Sequence, residues 1–437
     1  MDLKKLFKEH LLEQLSNLEG ILEASKLDGL VISAGGPQYY FEDDQEVPYR
    51  QNHHFSHYCP LEGHNHALIL RPSKKPKLLH FHPSDFWYDH SPLLEPFWLD
   101  EFEVATYSSK DSLWKELSSY KDLPYLGPDE EMALETGFKL LEKKVWHQLC
   151  WYRGYKTPYE AACMDEASKI AASGHKAARE AFLAGGSELD IHLAYLAATR
   201  MTDNQLPYNA IVGLNEKAAI LHYAEKRDDV KNGDVLLIDS GAKFMGYGSD
   251  ITRTYAARGA SQSFIDLLLA MEKSQKELCD AVLDCKDFGQ LHNKSNEKLA
   301  EILLDHGLLK EASSEEVIEK GLTRVFYPHG IGHMLGLFVH DVGGKQKDKE
   351  GGEFKNDPKN PHLRTGRDIE PGFLFTVEPG LYFIDMLLEP HRQGKSRHHF
   401  NFKLIDELRP FGGIRIEDNL YISKKEGVVN LTRKWLP

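Results

Sequence analysis

The sequence predicts an α+β chain in two parts: a small α/β domain over residues 1–156 and a larger domain over 157–437 built on antiparallel strands. Three observations carry this expectation. At roughly 150 residues per domain, a chain of 437 residues implies two or three hydrophobic cores. At Lys156-Thr157-Pro158-Tyr159-Glu160 a helix start signal follows a stretch of short alternating elements. Beyond that point helices and strands come in blocks, which favours an antiparallel sheet over βαβ winding.

The elements follow in order. MDLKKLFKEHLLEQL is an amphipathic helix, and LDGLVIS (27–33) is a short apolar run that reads as a buried strand. HALILRPSKKPKLLHFH (66–82) reads as two strands joined by a turn at Pro72–Pro76, and FEVATYS (102–108) as another strand. Helical stretches are expected near 111–120 and 134–149. In the second part Thr157 is a helix N-cap, Pro158 suits the first helical position and Glu160 completes a capping box. That helix runs to about Leu183 and ends at Gly185-Gly186, and a second follows from Ser187 to about Met201. Strands are expected at 209–215, 235–241, 249–257, 373–379 and 412–422, with long helices at 261–286 and 289–306.

Composition narrows the function. Asp and Glu number 67 against 53 Lys and Arg, a net charge of −14, so a general phosphate-binding surface and a nucleic-acid partner are not expected. No apolar run reaches the roughly 18 residues of a membrane helix, and the N-terminus lacks a signal peptide's uninterrupted apolar core, so a cytoplasmic protein is expected. Five scattered cysteines without CxxC spacing argue against a disulfide framework and a thiolate zinc site. The 22 histidines are the oddity, because many fall in clusters.

Several apolar strands here end in an acid. VLLIDSG runs into Asp239, and SDITRTY opens on Asp250. A two-residue turn at Phe244-Met245 would set these acids directly opposite each other, with Cβ atoms roughly 4.5–5.5 Å apart on one face. Carboxylates that close repel unless a proton or a cation lies between them. The alternative is that each caps a turn. FTVEPG places Glu378 at another strand end, and GGIRIEDN puts Arg415 and Glu417 on one face of a strand, where Arg415 could simply neutralise Glu417. PHGIGHMLGLFVHD carries His329, His333 and His340; its glycines favour a loop over a helical zincin pair, and HExxH is absent. His222 follows a strand-like run in ILHY. A lone histidine is more often a satisfied core residue, but the combined set of two Asp, two Glu and an imidazole matches Mn, Fe, Co or Zn. Four carboxylates balance a pair of divalent ions, a known device for generating a nucleophilic hydroxide at neutral pH.

At these motifs the sequence resembles the pita-bread metallopeptidases, which include methionine aminopeptidase, aminopeptidase P and prolidase. The matching text is LHY, VLLIDSGAKFMGYGSDITRTY, PHGIGHMLGLFVHD, FTVEPGLYF and GGIRIEDN, in that family's order. FEDDQEVPYR, FHPSDFW and the long segment between Glu378 and Glu417 resemble the bacterial Xaa-Pro dipeptidases and their relatives, the organophosphorus acid anhydrolases. The resemblance implies a pita-bread domain over 157–437 and an N-terminal domain that walls the cleft and takes part in dimerisation. It further implies hydrolysis of Xaa-Pro dipeptides by a metal-bridged hydroxide, with a side activity on organophosphorus esters. Two divalent ions are implied, manganese first, cobalt or zinc as alternatives. Asp239 would hold one ion through both oxygens, Asp250 and Glu417 would bridge, and His333 and Glu378 would complete the second. Glu378 and His329 would serve catalysis; His222, His340 and Tyr208 would line the substrate pocket; Arg364 and Arg415 would hold the substrate carboxylate. Asp43 or Asp44 would reach the partner subunit's site in a homodimer. QNHHFSHYCPL (51–61) departs from those relatives, which usually carry a proline and a tryptophan there. A metal-free creatinase-type enzyme, or a binding module on the same scaffold, would lack the ligand set present here.

Overall fold

A computed structural model describes residues 2–90, 92–355 and 357–437. The chain divides into two units. The first comprises Met1–Arg153, Thr157–Glu160 and Asp348–Gly351, and the second Gly154–Lys156, Ala161–Lys347 and Gly352–Pro437.

The first unit is a mixed sheet under helices. Its strands are β1 (Leu30–Ser33), β2 (Ala67–Leu70), β3 (Lys77–Phe81), β4 (Glu103–Tyr107), β5 (Pro124–Leu126) and β6 (Lys139–Leu140), in the order β4-β3-β2-β1-β5-β6. The opening helix Leu3–Ser25 buries Phe7, Leu11, Leu18, Ile21 and Leu22, a helical spacing of apolar positions. The expected helix over 134–149 is two helices, Glu130–Thr136 and Lys143–Arg153. Gly137 ends the first with φ +95°, where a side chain would be strained, and β6 occupies the interval. The strand β5 was not expected from the sequence.

The second unit carries long helices on antiparallel sheets. Its long helix Pro158–Leu183 begins on residues counted with the first unit, where Thr157 and Glu160 form the expected capping box, Glu160 Oε2 accepting from the Thr157 N–H at 2.9 Å. Strands β7 (Ile211–Leu214), β8 (Val235–Asp239) and β11 (Thr252–Ala256) form one sheet in the order β11-β8-β7. Between β8 and β11 the hairpin narrows through β9 (Lys243–Phe244) and β10 (Tyr247–Gly248). A second sheet joins β12 (Leu374–Val377), β15 (Asp418–Ser423) and β16 (Gly427–Asn430), and β13 (Gly380–Tyr382) pairs with β14 (Gly413–Arg415). Helices Gln262–Asp280 and Phe288–Asp305 bury Phe264, Leu267, Met271, Leu299 and Leu303 in a core shared with Leu381 and Ile414. Blocks of helix on antiparallel strands are the α+β arrangement expected.

Two further local expectations require correction. The hairpin turn is Met245-Gly246, one residue beyond the expected position, with both residues at positive φ (51° and 83°) as a two-residue hairpin turn demands. The register therefore moves by two: Asp239 faces Thr252, and Asp250 is its diagonal neighbour. The expected strand 412–422 is interrupted at Ile416-Glu417, between β14 and β15. There the Glu417 N–H donates to Thr252 O at 3.0 Å, so Glu417 sits at a break where the chain leaves one sheet for another.

Candidate metal centre

Within the second unit a cavity of about 280 Å³ is lined by Asp239, Asp250, His333, Glu378 and Glu417 together with His222, His329, His340, His362, Arg364 and Arg415. All five expected ligands thus face one space. Strand ends deliver the acids: β8 ends on Asp239, Asp250 precedes β11, Glu378 follows β12, and Glu417 fills the break after β14. His333 lies in the glycine-rich loop, as its composition predicts, and is tied to β12 by its N–H donating to Thr376 Oγ1 (3.1 Å) and by Thr376 N–H donating to His333 O (3.0 Å).

The floor of the cavity is buried and acidic. Donor atoms of Asp250, His333 and Glu417 lie within 4.8 Å of one another, and His333 Nε2 stands 3.4 Å from Asp250 Oδ2 and 3.6 Å from Glu378 Oε1. Tyr208 reaches both aspartates, at 2.7 Å from Asp239 Oδ1 and 2.6 Å from Asp250 Oδ1. A hydroxyl has one proton, so it can satisfy both carboxyls only when one of them is protonated. The electrostatics agree. Burial pushes Asp239 up to about 6 despite the Arg415 charge, and burial likewise raises Glu378 to about 7. Burial, with Asp250 and Glu378 nearby, also raises Glu417 well above the usual carboxyl range. For Asp250 the upward push of burial is outweighed by His333, and it lies below its ordinary value.

Arg415 links floor to wall. Its Nη2 donates to Asp239 Oδ2 at 2.6 Å, its Nη1 to Tyr382 OH at 3.1 Å and its Nε to Thr252 Oγ1 at 3.1 Å. Thr252 in turn donates to Glu417 Oε2 at 2.7 Å. Arg415 therefore pairs directly with Asp239 and touches Glu417 only through a threonine, so it is not simply the neutraliser of Glu417. His329 has Nδ1 2.9 Å from Gly330 O, an acceptor only, so Nδ1 bears the proton and Nε2 accepts from Tyr382 OH at 2.8 Å. Burial lowers His329 to about 3, which keeps it neutral, and its Nδ1 is 3.6 Å from Glu378 Oε2.

The rim is basic and more exposed: His222, His340, His362 and Arg364 all belong to it. Asp43 and Asp44 lie in the first unit, both exposed, with Asp43 Oδ1 accepting from the Gln45 N–H at 3.2 Å. Sequence reasoning missed Thr252, Tyr382 and His362. Thr252 shares a face with Asp250 by the two-residue strand period, Tyr382 follows Glu378 by four residues, and His362 stands two before Arg364. Each stands within four residues of one already singled out.

The donor chemistry fits divalent metal. His333 Nδ1 donates to Met334 O at 3.1 Å, so Nε2, which faces the carboxylates of Asp250 and Glu378, is the atom a neutral ring would offer to a cation between them; against the downward push of burial, those two carboxylates raise the imidazole above its ordinary value. Asp239 has a donor on each oxygen, and each oxygen retains a further lone pair. Hard oxygen donors with one imidazole, buried at the end of a polar cavity on an α+β scaffold, define a metallohydrolase. The chain belongs to metallopeptidase family M24, which residues 162–424 match; residues 5–150 match the N-terminal domain of Xaa-Pro dipeptidases. Over its whole length it is similar to the Xaa-Pro dipeptidase of Edwardsiella ictaluri, 41% identical over 437 residues covering 99% of this chain and 98% of that protein. The Xaa-Pro dipeptidase of Proteus mirabilis is 39% identical over 441 residues, with the same coverage of both. In fold it matches Escherichia coli aminopeptidase P in a zinc-substituted form in complex with product, at a TM-score of 0.70 and 23% identity over 99% of this chain and 95% of that one. No helix among the described residues is long and apolar enough to cross a membrane.

Proposed function

We propose that this chain is a cytoplasmic Xaa-Pro dipeptidase that hydrolyses a dipeptide ending in proline to a free amino acid and proline. The observation that carries the reading is the cavity's polarity, an acidic floor for metal beneath a rim of histidine and arginine, in a chain so similar to Xaa-Pro dipeptidases. Asp239, Asp250, His333, Glu378 and Glu417 would hold a pair of divalent ions, manganese before cobalt or zinc. Such a pair, when bound, supplies a water activated for attack and polarises the scissile carbonyl.

The protein's own groups do the rest. A Xaa-Pro bond has no N–H for a peptidase to grip, so the substrate must be held by its ends. Arg364 on the rim takes the proline carboxylate, aided by the N–H bonds of Arg415 not spent on Asp239, Tyr382 and Thr252. Glu378 stands among the groups that line the reacting space, where its carboxylate takes a proton and returns it to the proline nitrogen, which cannot leave as an anion. His329 holds its Nδ1 proton beside Glu378 and so steadies that carboxylate. His222 and His340 shape the pocket, and Tyr208, which is not among its lining residues, steadies the two aspartates of the floor. The active form in this reading is a homodimer, to whose partner cavity the exposed Asp43 or Asp44 is offered. Organophosphorus triesters are its side substrates, since the same activated water can attack phosphorus.

Two experiments test this. A panel of dipeptides assayed after chelation and re-addition of Mn, Co or Zn should show cleavage of Ala-Pro and Met-Pro only with metal; equal cleavage of Ala-Ala would refute the proline specificity. Arg364→Ala should raise KM for Ala-Pro by about 10- to 100-fold with little change in metal content, and an unchanged KM would refute carboxylate capture.

A further inference from the structure

The rim histidine His340 stands at the far end of a loop whose near end is His333. The near end is secured to β12 through Thr376 and by the Leu335 N–H donating to Leu374 O at 3.0 Å. The far end closes on Asp341, whose N–H donates to Met334 O at 2.9 Å. Asp341 Oδ2 accepts from Lys156 Nζ at 2.8 Å, and the two side chains are only 2% and 1% exposed. The pair lies directly against Gly336: a Cβ there would meet Asp341 Oδ2 at 2.3 Å and Lys156 Cε at 2.8 Å. Lys156 is itself anchored, its N–H donating to Gly372 O at 2.6 Å and its O accepting from Tyr421 OH at 3.4 Å. The His340 ring in turn packs edge-on against His333, with centroids 4.4 Å apart.

We propose that Lys156 is a positioning residue of the substrate pocket: through Asp341 it fixes where His340 stands relative to His333. The inference rests on the dipeptidase reading for its kinetic consequence, though not for its geometry. A buried ion pair is weak evidence of a stabilising role, because an apolar pair of similar volume often serves stability equally well, whereas removing one partner weakens the compensation of the charge that stays buried. What the pair supplies that an apolar contact would not is direction, a fixed Nζ–Oδ2 vector that orients the chain at Asp341 and with it the adjacent imidazole. The independent ties on His333 mean that the metal ligand should stay in place when the pair is lost.

The test compares Lys156→Met with the double variant Lys156→Met/Asp341→Leu. The single variant should lower Tm; the double should recover most of that loss. In the double variant metal content should match the unaltered protein, KM for Ala-Pro should stay raised about tenfold, and kcat should change less than KM. The His340 imidazole signal in nitrogen-15 NMR, assigned as the one missing in His340→Gln, should move in the double variant. Recovery of both Tm and KM with an unmoved His340 signal would show a merely structural pair and overturn the proposal. Absence of dipeptide cleavage by the unaltered, metal-loaded protein would refute the dipeptidase reading, and the NMR comparison would still decide the positioning role.

Discussion

A protein carrying Asp250→Asn is expected to retain less than a full pair of ions and to lose about 10³-fold in kcat for Ala-Pro. Asp250 joins the imidazole and the phenol of the floor: one oxygen is 3.4 Å from His333 Nε2 and the other 2.6 Å from Tyr208 OH. His333 keeps its carboxyl below the ordinary range, so it stays charged throughout neutral pH. Asparagine of nearly the same shape turns one of its anionic oxygens into an N–H donor and leaves three carboxylates to balance the ions. The removal of several kcal/mol of charge stabilisation corresponds to the loss expected in rate. The metal-free protein should lose stability as well. Against the push of burial, His333 holds Asp250 below its ordinary value, so the fold favours its anion; asparagine forfeits that pairing, and the Tm of the chelated variant should fall below that of the chelated parent. Metal analysis and calorimetry read both effects; full occupancy with parental turnover would refute Asp250 as a ligand.

Metal affinity should fall steeply on mild acidification. Burial lifts Glu378 to about 7 and Asp239 to about 6, above the values near 4 that both take in an unfolded chain. Each therefore binds more protons folded than unfolded between those limits. The metal-free fold accordingly loses stability from these two groups as pH rises from about 4 through 7, and gains it as pH falls. Ions must displace the same protons, so the apparent affinity should drop about tenfold per pH unit below 7 from Glu378 alone, and more steeply below 6 where Asp239 joins it. The rise in Tm on adding manganese should thus be larger at pH 8 than at pH 5.5. Calorimetric titration in two buffers of different ionisation heat should record proton release at pH 6.5. A manganese-induced Tm rise that is the same at both pH values would contradict this linkage.

Much of this site was legible in the sequence because buried acids need a reason. Asp239, Glu378 and Glu417 interrupt apolar runs, and the glycines of PHGIGHMLGLFVHD correctly indicate a loop. The capping box at Thr157 and Glu160 was equally readable, since it depends only on residues three apart. What failed was geometry set by a single turn. The shift of the hairpin to Met245-Gly246 had a signal, glycine at the second turn position, and it moves Asp250 from facing Asp239 to a diagonal position bridged by Tyr208. Gly137 was a similar signal for the broken helix. The break at Glu417 had none, because the alternation of Ile414 and Ile416 continues unbroken through it while the strand changes sheets. Nor could any local pattern show that Arg415 would pair with Asp239, 176 positions away, rather than with Glu417.

The measurement that tests the whole account most directly is the metal content of chelated protein re-equilibrated with manganese, taken alongside Ala-Pro hydrolysis on the same samples. The account predicts that activity is nil without metal, rises with loading and saturates when a pair of ions is bound per chain. Undiminished hydrolysis by the stripped protein, or saturation with a single ion that Glu417→Gln leaves unaffected, would contradict it.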